Sequence, residues 1–145
     1  MSETKVNTNL AAEFLVLSNL YRIGANAYLT LGNKKSVDIV VDNKGRVLTI
    51  DVKGLRSNTS FPIDNHTLYN KNHFLIFVAF NNKIDQTAFS PEVYIVPSIE
   101  LNKKHKVLDG LSIVYQNESE TRKVISLSRL RKLSTKYKDR WDYFI

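Results

Sequence analysis

The chain has 145 residues, 43% of them hydrophobic and 10% aromatic, which is enough apolar material for one packed core. It contains no cysteine, which excludes disulfides, thiolate metal sites and cysteine nucleophiles and favours an intracellular, cytoplasmic setting. The 21 lysines and arginines outnumber the 14 acidic residues and give a formal charge of +7, which favours a polyanionic partner such as nucleic acid. No run of 18 apolar residues occurs, so we expect no membrane association, and we predict one domain over residues 1–145.

The first predicted element is a helix over Asn9–Ile23. We expect Thr8 or Asn9 as its N-cap and Gly24 as its stop signal. The face expected to meet the core carries four large apolar residues at helical spacing, namely Leu10, Phe14, Leu17 and Tyr21. This pattern predicts an amphipathic helix packed on the rest of the domain.

A short strand over Ala25–Leu31 and then a β-hairpin are predicted after this helix. The hairpin strands are Ser36–Val41 and Val47–Lys53, two runs rich in β-branched residues. The turn between them, Asp42–Arg46, contains a glycine that can supply a positive φ.

Further strands and two helices are predicted in the second half of the chain. His73–Phe80 is nearly all apolar, as in a central strand buried on both faces, and Glu92–Val96 is predicted as its neighbour, ending at Pro97. Gly54–Asn72 shows no period and is predicted as a loop. The other expected elements are a short helix capped by Ser98, a strand over Leu111–Gln116, a helix over Ser126–Tyr137, and a packed C-terminal plug of Trp141, Tyr143 and Phe144.

Two acidic residues lie on the same side of the predicted hairpin. Alternation places Leu48, Ile50 and Val52 on an apolar face and Asp51 on the other face. If residue numbers across the ladder sum to about 89, Asp38 stands opposite Asp51. Like charges facing each other there destabilise the pair by up to about 1 kcal/mol unless a cation lies between them. Oxygen ligands of this kind suit Mg²⁺, with Mn²⁺ as a substitute.

Glu13 and Lys53 add to this acidic pair. Glu13 falls inside the apolar arc of the first helix, where a carboxylate is costly to bury unless it meets a metal or a cation such as Lys53. The acid-x-Lys triplet occurs three times in the chain, and only Asp51–Lys53 lies on a predicted strand with a second aspartate in reach. Its context, not the triplet alone, indicates a site.

These residues together resemble the core of the PD-(D/E)XK nucleases, in the manner of a small prokaryotic stand-alone member. The resemblance covers the helix with Glu13, the strand Ser36–Val41 and the strand Thr49–Gly54. Val37 stands where the family name has proline, and Asp51 where many members have glutamate. The implied fold is α/β, a restriction-endonuclease-like core with a central mixed β-sheet flanked by helices.

The resemblance also implies roles and partners. Asp38, Asp51 and the carbonyl of Val52 would hold one or two Mg²⁺ ions for hydrolysis of DNA phosphodiester bonds, Lys53 would position water or stabilise charge on the phosphate, and Glu13 would support them. Basic residues on flanking loops are candidate phosphate contacts, namely Lys34, Lys35, Arg56 and Lys71.

Three alternatives remain open from the sequence. The chain could be a catalytically inactive nuclease-fold module that binds nucleic acid or a protein, with Asp51 and Lys53 as a structural ion pair. A nuclease acting on RNA or single strands fits the same residues. A homodimer is compatible with the residues, because cleavage of duplexes and junctions often needs two active sites.

Overall fold

In a computed structural model of the chain, residues 3–30, 37–63, 70–101, 114–115 and 123–145 are described. The first element, α1, spans Glu3–Arg22 and begins six residues before the predicted start. The predicted N-cap is therefore wrong, because Thr8 lies within the helix and its hydroxyl donates to the Thr4 carbonyl at 2.9 Å. The predicted stop is confirmed: Gly24 has φ +83°, and its N–H donates to the Tyr21 carbonyl at 3.0 Å.

A five-stranded sheet lies beside this helix, in the order β1-β2-β3-β5-β6. Its strands are β1 (Ala27–Leu29), β2 (Ile39–Asn43), β3 (Arg46–Leu55), β5 (His73–Ala79) and β6 (Glu92–Pro97). Only the β3–β5 pair is parallel, so the sheet is mixed, as predicted. Every residue of β5 is buried, which confirms the predicted central strand. This is the mixed α/β sheet flanked by helices that the sequence predicts.

The β2–β3 hairpin has the predicted register. Ile39 pairs with Ile50 and Val41 with Leu48, each pair summing to 89. The turn is tighter than predicted, since Asn43 pairs with Arg46 and leaves two residues of positive φ between them, as in a type I′ turn. β2 therefore ends two residues later than predicted and also starts later.

The fold buries apolar residues on both faces of the central sheet. On one face, α1 covers alternate residues of β3 that include Leu48, Ile50 and Val52. On the other, a three-stranded sheet of order β4-β8-β7 and two short helices cover β5 and β6. These elements are β4 (Ser60–Pro62), β7 (Val114–Tyr115), β8 (Lys123–Ser126), α2 (Leu127–Lys132) and α3 (Ser134–Tyr137).

The second layer contains most of the differences from the sequence prediction. The expected helix over Ser126–Tyr137 is two helices separated at Leu133, with Ser126 as the N-cap of the first. The predicted loop Gly54–Asn72 contains the last residues of β3 and all of β4. Short strands of this kind lack a period of their own and form only by pairing with distant residues. Of the predicted strand Leu111–Gln116, only Val114–Tyr115 lies within the described residues.

Two smaller predictions have different outcomes. Ser98 is the first residue of a 3₁₀ turn, and its hydroxyl donates to the Asn70 carbonyl and accepts from the Asn70 N–H at 2.8 Å, so it does not cap the turn. The C-terminal plug is confirmed, because the Phe144 ring lies 5.0 Å from Phe74 and Tyr143 packs beside it.

The face that α1 turns to the sheet differs from the predicted one. Its buried residues are Thr8, Ala12, Val16 and Leu20. The large residues of the predicted face are mostly exposed, with Phe14 at 54% and Tyr21 at 56%. The close approach to β3 explains this choice: a Cβ on Gly54 would lie 3.0 Å from the Ala12 Cβ, so only small side chains fit there. None of the helices in the described parts of the chain is long and apolar enough to cross a membrane.

Candidate active site

Asp38 immediately precedes β2 and is held by backbone hydrogen bonds on both sides. Its N–H donates to the Ile50 carbonyl at 2.8 Å, and its carbonyl accepts from the Thr30 N–H at 2.9 Å. The Thr30 hydroxyl also donates to the Val37 carbonyl at 2.7 Å. These bonds link β1, β2 and β3 at Asp38 and fix the position of its backbone.

The Asp38 carboxylate lies in a gap beside β3. The ladder between β2 and β3 begins at the Ile39–Ile50 pair. From Asp51 to Leu55, β3 therefore extends past the first residue of β2 and leaves a gap on that side. The Val52 N–H, which points into this gap, donates to Asp38 Oδ2 at 2.7 Å. Because the N–H and carbonyl of one residue point to the same side of a strand, the Val52 carbonyl also faces the gap.

Asp51 and Lys53 leave β3 as neighbours on the same face. The Lys53 ammonium lies 3.3 Å from Asp51 Oδ2, and their side chains are 22% and 5% exposed. Asp51 is thus nearly enclosed while the ammonium reaches solvent. This pair is the arrangement that the D-x-K spacing predicts on a strand.

Three carboxylates influence one another here. Glu13 is half-buried on α1, and burial together with the negative charge and hydrogen bonding of Asp38 raises its pKa to about 7. Burial also raises the pKa of Asp51 to about 7; the Asp38 charge adds to this effect, and Lys53 acts against it. The helix, the start of β2 and the middle of β3 therefore bring Glu13, Asp38 and Asp51 together, as the sequence predicts.

The donor set at this position fits a hard divalent cation that shares its coordination with other oxygens. Two aspartates and the Val52 carbonyl offer oxygen ligands, and a positive charge would offset the burial and the repulsion that together raise the pKa values of Glu13 and Asp51. In the described parts of the chain, no group of three or more His, Asp or Glu side chains forms a ready-made metal cage. Mg²⁺ commonly binds through one or two carboxylates and completes its shell with water and phosphate oxygens.

His73 lies near this site, although its sequence context indicates only an ordinary strand residue. It is buried at the start of β5 opposite Thr49, and its Nδ1 lies 2.7 Å from the Thr49 hydroxyl. Burial lowers the pKa of His73 to about 4, so its ring is neutral at pH 7. The only signal in the sequence was its place at the head of an apolar strand, which does not separate a core histidine from a site histidine.

Two of the four predicted phosphate contacts, Arg56 and Lys71, lie within the described residues. Lys34 and Lys35 lie outside the described residues. Arg56 follows β3 directly and donates from Nε to the Thr8 hydroxyl at 3.1 Å, which ties it to α1. Lys71 is exposed just before β5, close to the opposite end of β3. Arg56 is therefore at the Lys53 end of the strand, and Lys71 is not.

Comparisons with known proteins give a likeness among solved structures. No protein-family profile and no curated protein sequence matches the chain. Among solved structures, the chain is similar to the bacterial homing endonuclease I-Ssp6803I, with a TM-score of 0.58 and 18% sequence identity. The match covers 98% of this chain and 93% of that one. The chain thus has, over almost its whole length, the fold of a solved homing endonuclease.

Proposed function

We propose that the protein is a metal-dependent endonuclease of the PD-(D/E)XK type that hydrolyses phosphodiester bonds in DNA. The observation that carries the proposal is the grouping of Glu13, Asp38 and Asp51 where β3 extends past β2, with Lys53 beside Asp51 and two carboxyl pKa values near 7. Perturbed acids of this kind cluster at functional sites. The net charge of +7 and the fold of a homing endonuclease support DNA as the substrate.

The chain's own residues have distinct roles in this proposal. Asp38, Asp51 and the Val52 carbonyl would hold Mg²⁺, or Mn²⁺ in its place. Lys53 would place a positive charge beside the scissile phosphate as negative charge develops there. Glu13 exchanges a proton near neutral pH and would orient Lys53 or the attacking water.

Bound Mg²⁺ would supply two effects that side chains alone do not, polarisation of the phosphate and a lower pKa for the attacking water. The Asp38 carboxylate is prepared for such an ion because the Val52 N–H already fixes one of its oxygens. A ligand held in this way loses little conformational freedom when the ion binds.

A cleavage assay tests the proposal. Supercoiled plasmid, a four-way junction, single-stranded DNA and RNA are incubated with the protein in Mg²⁺ and in Mn²⁺. We expect cleavage of a DNA substrate that Asp51→Ala and Lys53→Ala each reduce by at least 100-fold. Asp85→Ala is the matched control, since Asp85 is an exposed carboxylate outside the site, and it should cleave like the wild type.

The rival function keeps the fold without catalysis, as a basic module that binds nucleic acid or a protein. In that case Asp51 and Lys53 form a structural ion pair, and Mg²⁺ has no effect on stability. A folded wild type that binds DNA, fails to cut every substrate and shows no thermal shift in 5 mM Mg²⁺ would establish this rival.

The exposed face of α1 offers a surface for the homodimer. Leu10, Phe14, Leu17 and Tyr21 follow a 4-3-4 spacing, which is the pattern of a helix–helix seam. Phe14 is adjacent to Glu13, so a second copy packed there would bring two active sites close together. Two neighbouring sites would allow both DNA strands to be cut in one encounter.

A further inference from the structure

A second cavity lies beside the candidate active site, between the first turns of α1 and the strands β3 and β4. Its volume is about 300 Å³, which is the lower end of the range for small-molecule sites and is suited to a single nucleotide. Gly54 forms part of its wall and directly follows Lys53 in β3. Asn9, on the opposite wall, is one helical turn before Glu13. The cavity therefore lies one residue along β3 from Lys53 and one helical turn along α1 from Glu13.

Basic and polar residues contribute to the lining of this cavity, most of which is apolar. Lys5 and Arg56 both line it, together with the polar side chains of Asn9 and Ser60, and none of its lining residues is acidic. Within the described residues, no carboxylate forms an ion pair with Arg56. The Arg56 guanidinium instead donates to Thr8 Oγ1 and, at 3.5 Å, to the Thr4 carbonyl, which holds it against α1. A guanidinium has five N–H donors, so this fixed group can still bind a phosphate.

Apolar groups complete the cavity and argue for more than an anion. Pro62 and Leu55 contribute aliphatic surface, and the Pro62 ring is exposed. A flat apolar surface next to two cations matches a nucleotide, whose base or sugar needs contact area and whose phosphate needs positive charge. Free phosphate would contact the two cations but not the apolar surface.

The distances along the chain fit a neighbouring nucleotide. Residues advance about 3.3 Å each along a strand, so Arg56 lies roughly 10 Å beyond Lys53. Successive nucleotides of one DNA strand advance about 3.4 Å along the duplex axis. The cavity is thus within one to three nucleotides of a phosphate placed at Lys53.

From these observations we infer that the cavity between α1 and β4 binds a nucleotide of the cleaved strand one to three positions from the scissile phosphate, with Lys5 and Arg56 at its phosphate. The inference rests on the proposed function for the identity of the strand. Binding to the cavity is independent of hydrolysis, because none of its lining residues belongs to the proposed metal site.

Nuclear magnetic resonance with thymidine 5′-monophosphate, in EDTA and without DNA, tests the inference. We expect the backbone amide signals of Asn9, Gly54 and Ser60 to shift with millimolar affinity. Thymidine without its phosphate, and inorganic phosphate alone, should each bind at least fivefold more weakly. Lys5→Gln should weaken the nucleotide at least fivefold, whereas Lys44→Gln, the same charge change in the exposed β2–β3 turn, should change it less than twofold.

The outcomes separate this inference from the proposed function. Nucleotide shifts confined to other parts of the chain, or an equal loss in both lysine variants, would overturn the cavity as a nucleotide site. Inorganic phosphate binding as tightly as the nucleotide would also overturn it. If the cavity binds the nucleotide while no DNA substrate is cleaved, the cavity stands as a nucleotide site, and the proposed hydrolysis and the assignment to a cleaved strand both fail.

Discussion

Asp51 is the residue at which the demands of folding and of the proposed chemistry conflict most clearly. It is 3% exposed, and burial raises its pKa to about 7 despite the Lys53 ammonium 3.3 Å away. An enclosed carboxylate next to two others destabilises the metal-free protein when it ionises. A bound cation would reverse this effect, so the stability of the protein should report on the site.

Asp51→Asn tests this conflict in the metal-free protein. The folded state keeps a proton on Asp51 up to pH about 7, whereas the unfolded chain releases it near 3.8. The folded state therefore binds more protons between these values, and the free energy of unfolding falls as pH rises from about 4 to 7. Asparagine removes this loss, so at pH 7.5 in EDTA we expect a stabilisation of about 1–3 kcal/mol, measured by urea denaturation.

Two comparisons control this measurement. At pH 4 the wild type and Asp51→Asn should be nearly equal in stability, and Asp85→Asn should change nothing at either pH. In 5 mM Mg²⁺ the wild type should gain stability and Asp51→Asn should not. A variant less stable than the wild type at pH 7.5 would show that the Lys53–Asp51 ion pair outweighs the burial of the carboxylate.

At this scale the sequence predicted the members of the site but not all of their partners. Asp38, Asp51 and Lys53 follow from period-two alternation and from a hairpin whose short turn fixes the register. The hydrogen bond from Val52 to Asp38 depends on where β2 ends, and the place of His73 depends on parallel pairing with β3. Neither is encoded in local spacing, so neither could be predicted.

At the level of elements, α1 shows how a correct helix can be predicted with the wrong face. The sequence marks the large apolar residues as the buried side, but the sheet accepts the side with Thr8 and Ala12 because Gly54 leaves room only for small groups. The close approach of α1 to β3 at Gly54 also determines how far Glu13 lies from Asp38 and Asp51. One glycine, predicted as the start of a loop, thus positions the helix.

Gly54→Ala should push α1 away from β3. The added Cβ would meet the Ala12 Cβ and the Thr8 carbonyl at 3.0 Å, which is closer than such atoms normally lie. We expect a loss of about 1–3 kcal/mol in the free energy of unfolding, together with weaker cleavage because Glu13 moves. Denaturation and the plasmid assay measure the two effects.

The reciprocal change provides the control for this steric explanation. Ala12→Gly removes one of the two atoms that the new Cβ would meet, so Gly54→Ala should cost less stability in the Ala12→Gly background than in the wild type. Equal stability of Gly54→Ala and the wild type would mean that the helix position is not set by this contact.

The second layer is joined to the central sheet by a charged network on β6 and α2. Glu92 accepts hydrogen bonds from Arg131 at 2.9 and 2.6 Å and from Tyr94 and Asn81 at 2.7 Å each. These bonds, Arg131 foremost, lower the pKa of Glu92 to about 2. No local pattern predicts this contact, because Glu92 and Arg131 are 39 residues apart.

Glu92→Gln should therefore weaken the protein in a pH-dependent way. A lowered carboxyl pKa gives stability that is present above the unfolded value near 4.5 and is lost as pH falls toward 2. At pH 7 we expect a loss of about 1 kcal/mol, since Arg131 is partly exposed, and the loss should shrink as pH approaches 3. Urea denaturation at pH 7 and pH 3 measures it, and a loss that stays constant with pH would contradict the assigned charge.

On the scale of the whole molecule, the sequence predicted the sheet better than the layer that covers it. β5 and the β2–β3 hairpin have hydropathy patterns of their own that can be recognised in the sequence. The mixed sheet was predicted from these patterns. β4 and β8 are too short to do so and are stabilised by the Phe61 and Ile125 side chains they bury. Eight large hydrophobic residues are exposed in the described parts of the chain, and four of them lie on α1.

The exposed face of α1 is therefore the candidate surface for the proposed homodimer. Phe14 is 54% exposed and lines a shallow cavity of about 440 Å³ with Leu17 and Tyr21, so a second copy can bury apolar area there without moving the core. We expect sedimentation equilibrium to give a dimer at micromolar concentration and Phe14→Ser to give a monomer of unchanged fold. Tyr28→Ser, which removes an equally exposed aromatic from β1, is the matched control and should remain dimeric.

The nuclease assay then shows whether the dimer matters for cleavage. A monomeric Phe14→Ser variant should still nick plasmid, because Glu13, Asp38, Asp51 and Lys53 all belong to one chain. Linear product should fall by at least tenfold, because two separate encounters would then be needed to cut both strands. If the wild type is itself a monomer at 100 µM, or if Phe14→Ser makes linear product as efficiently as the wild type, the α1 face does not serve to pair two active sites.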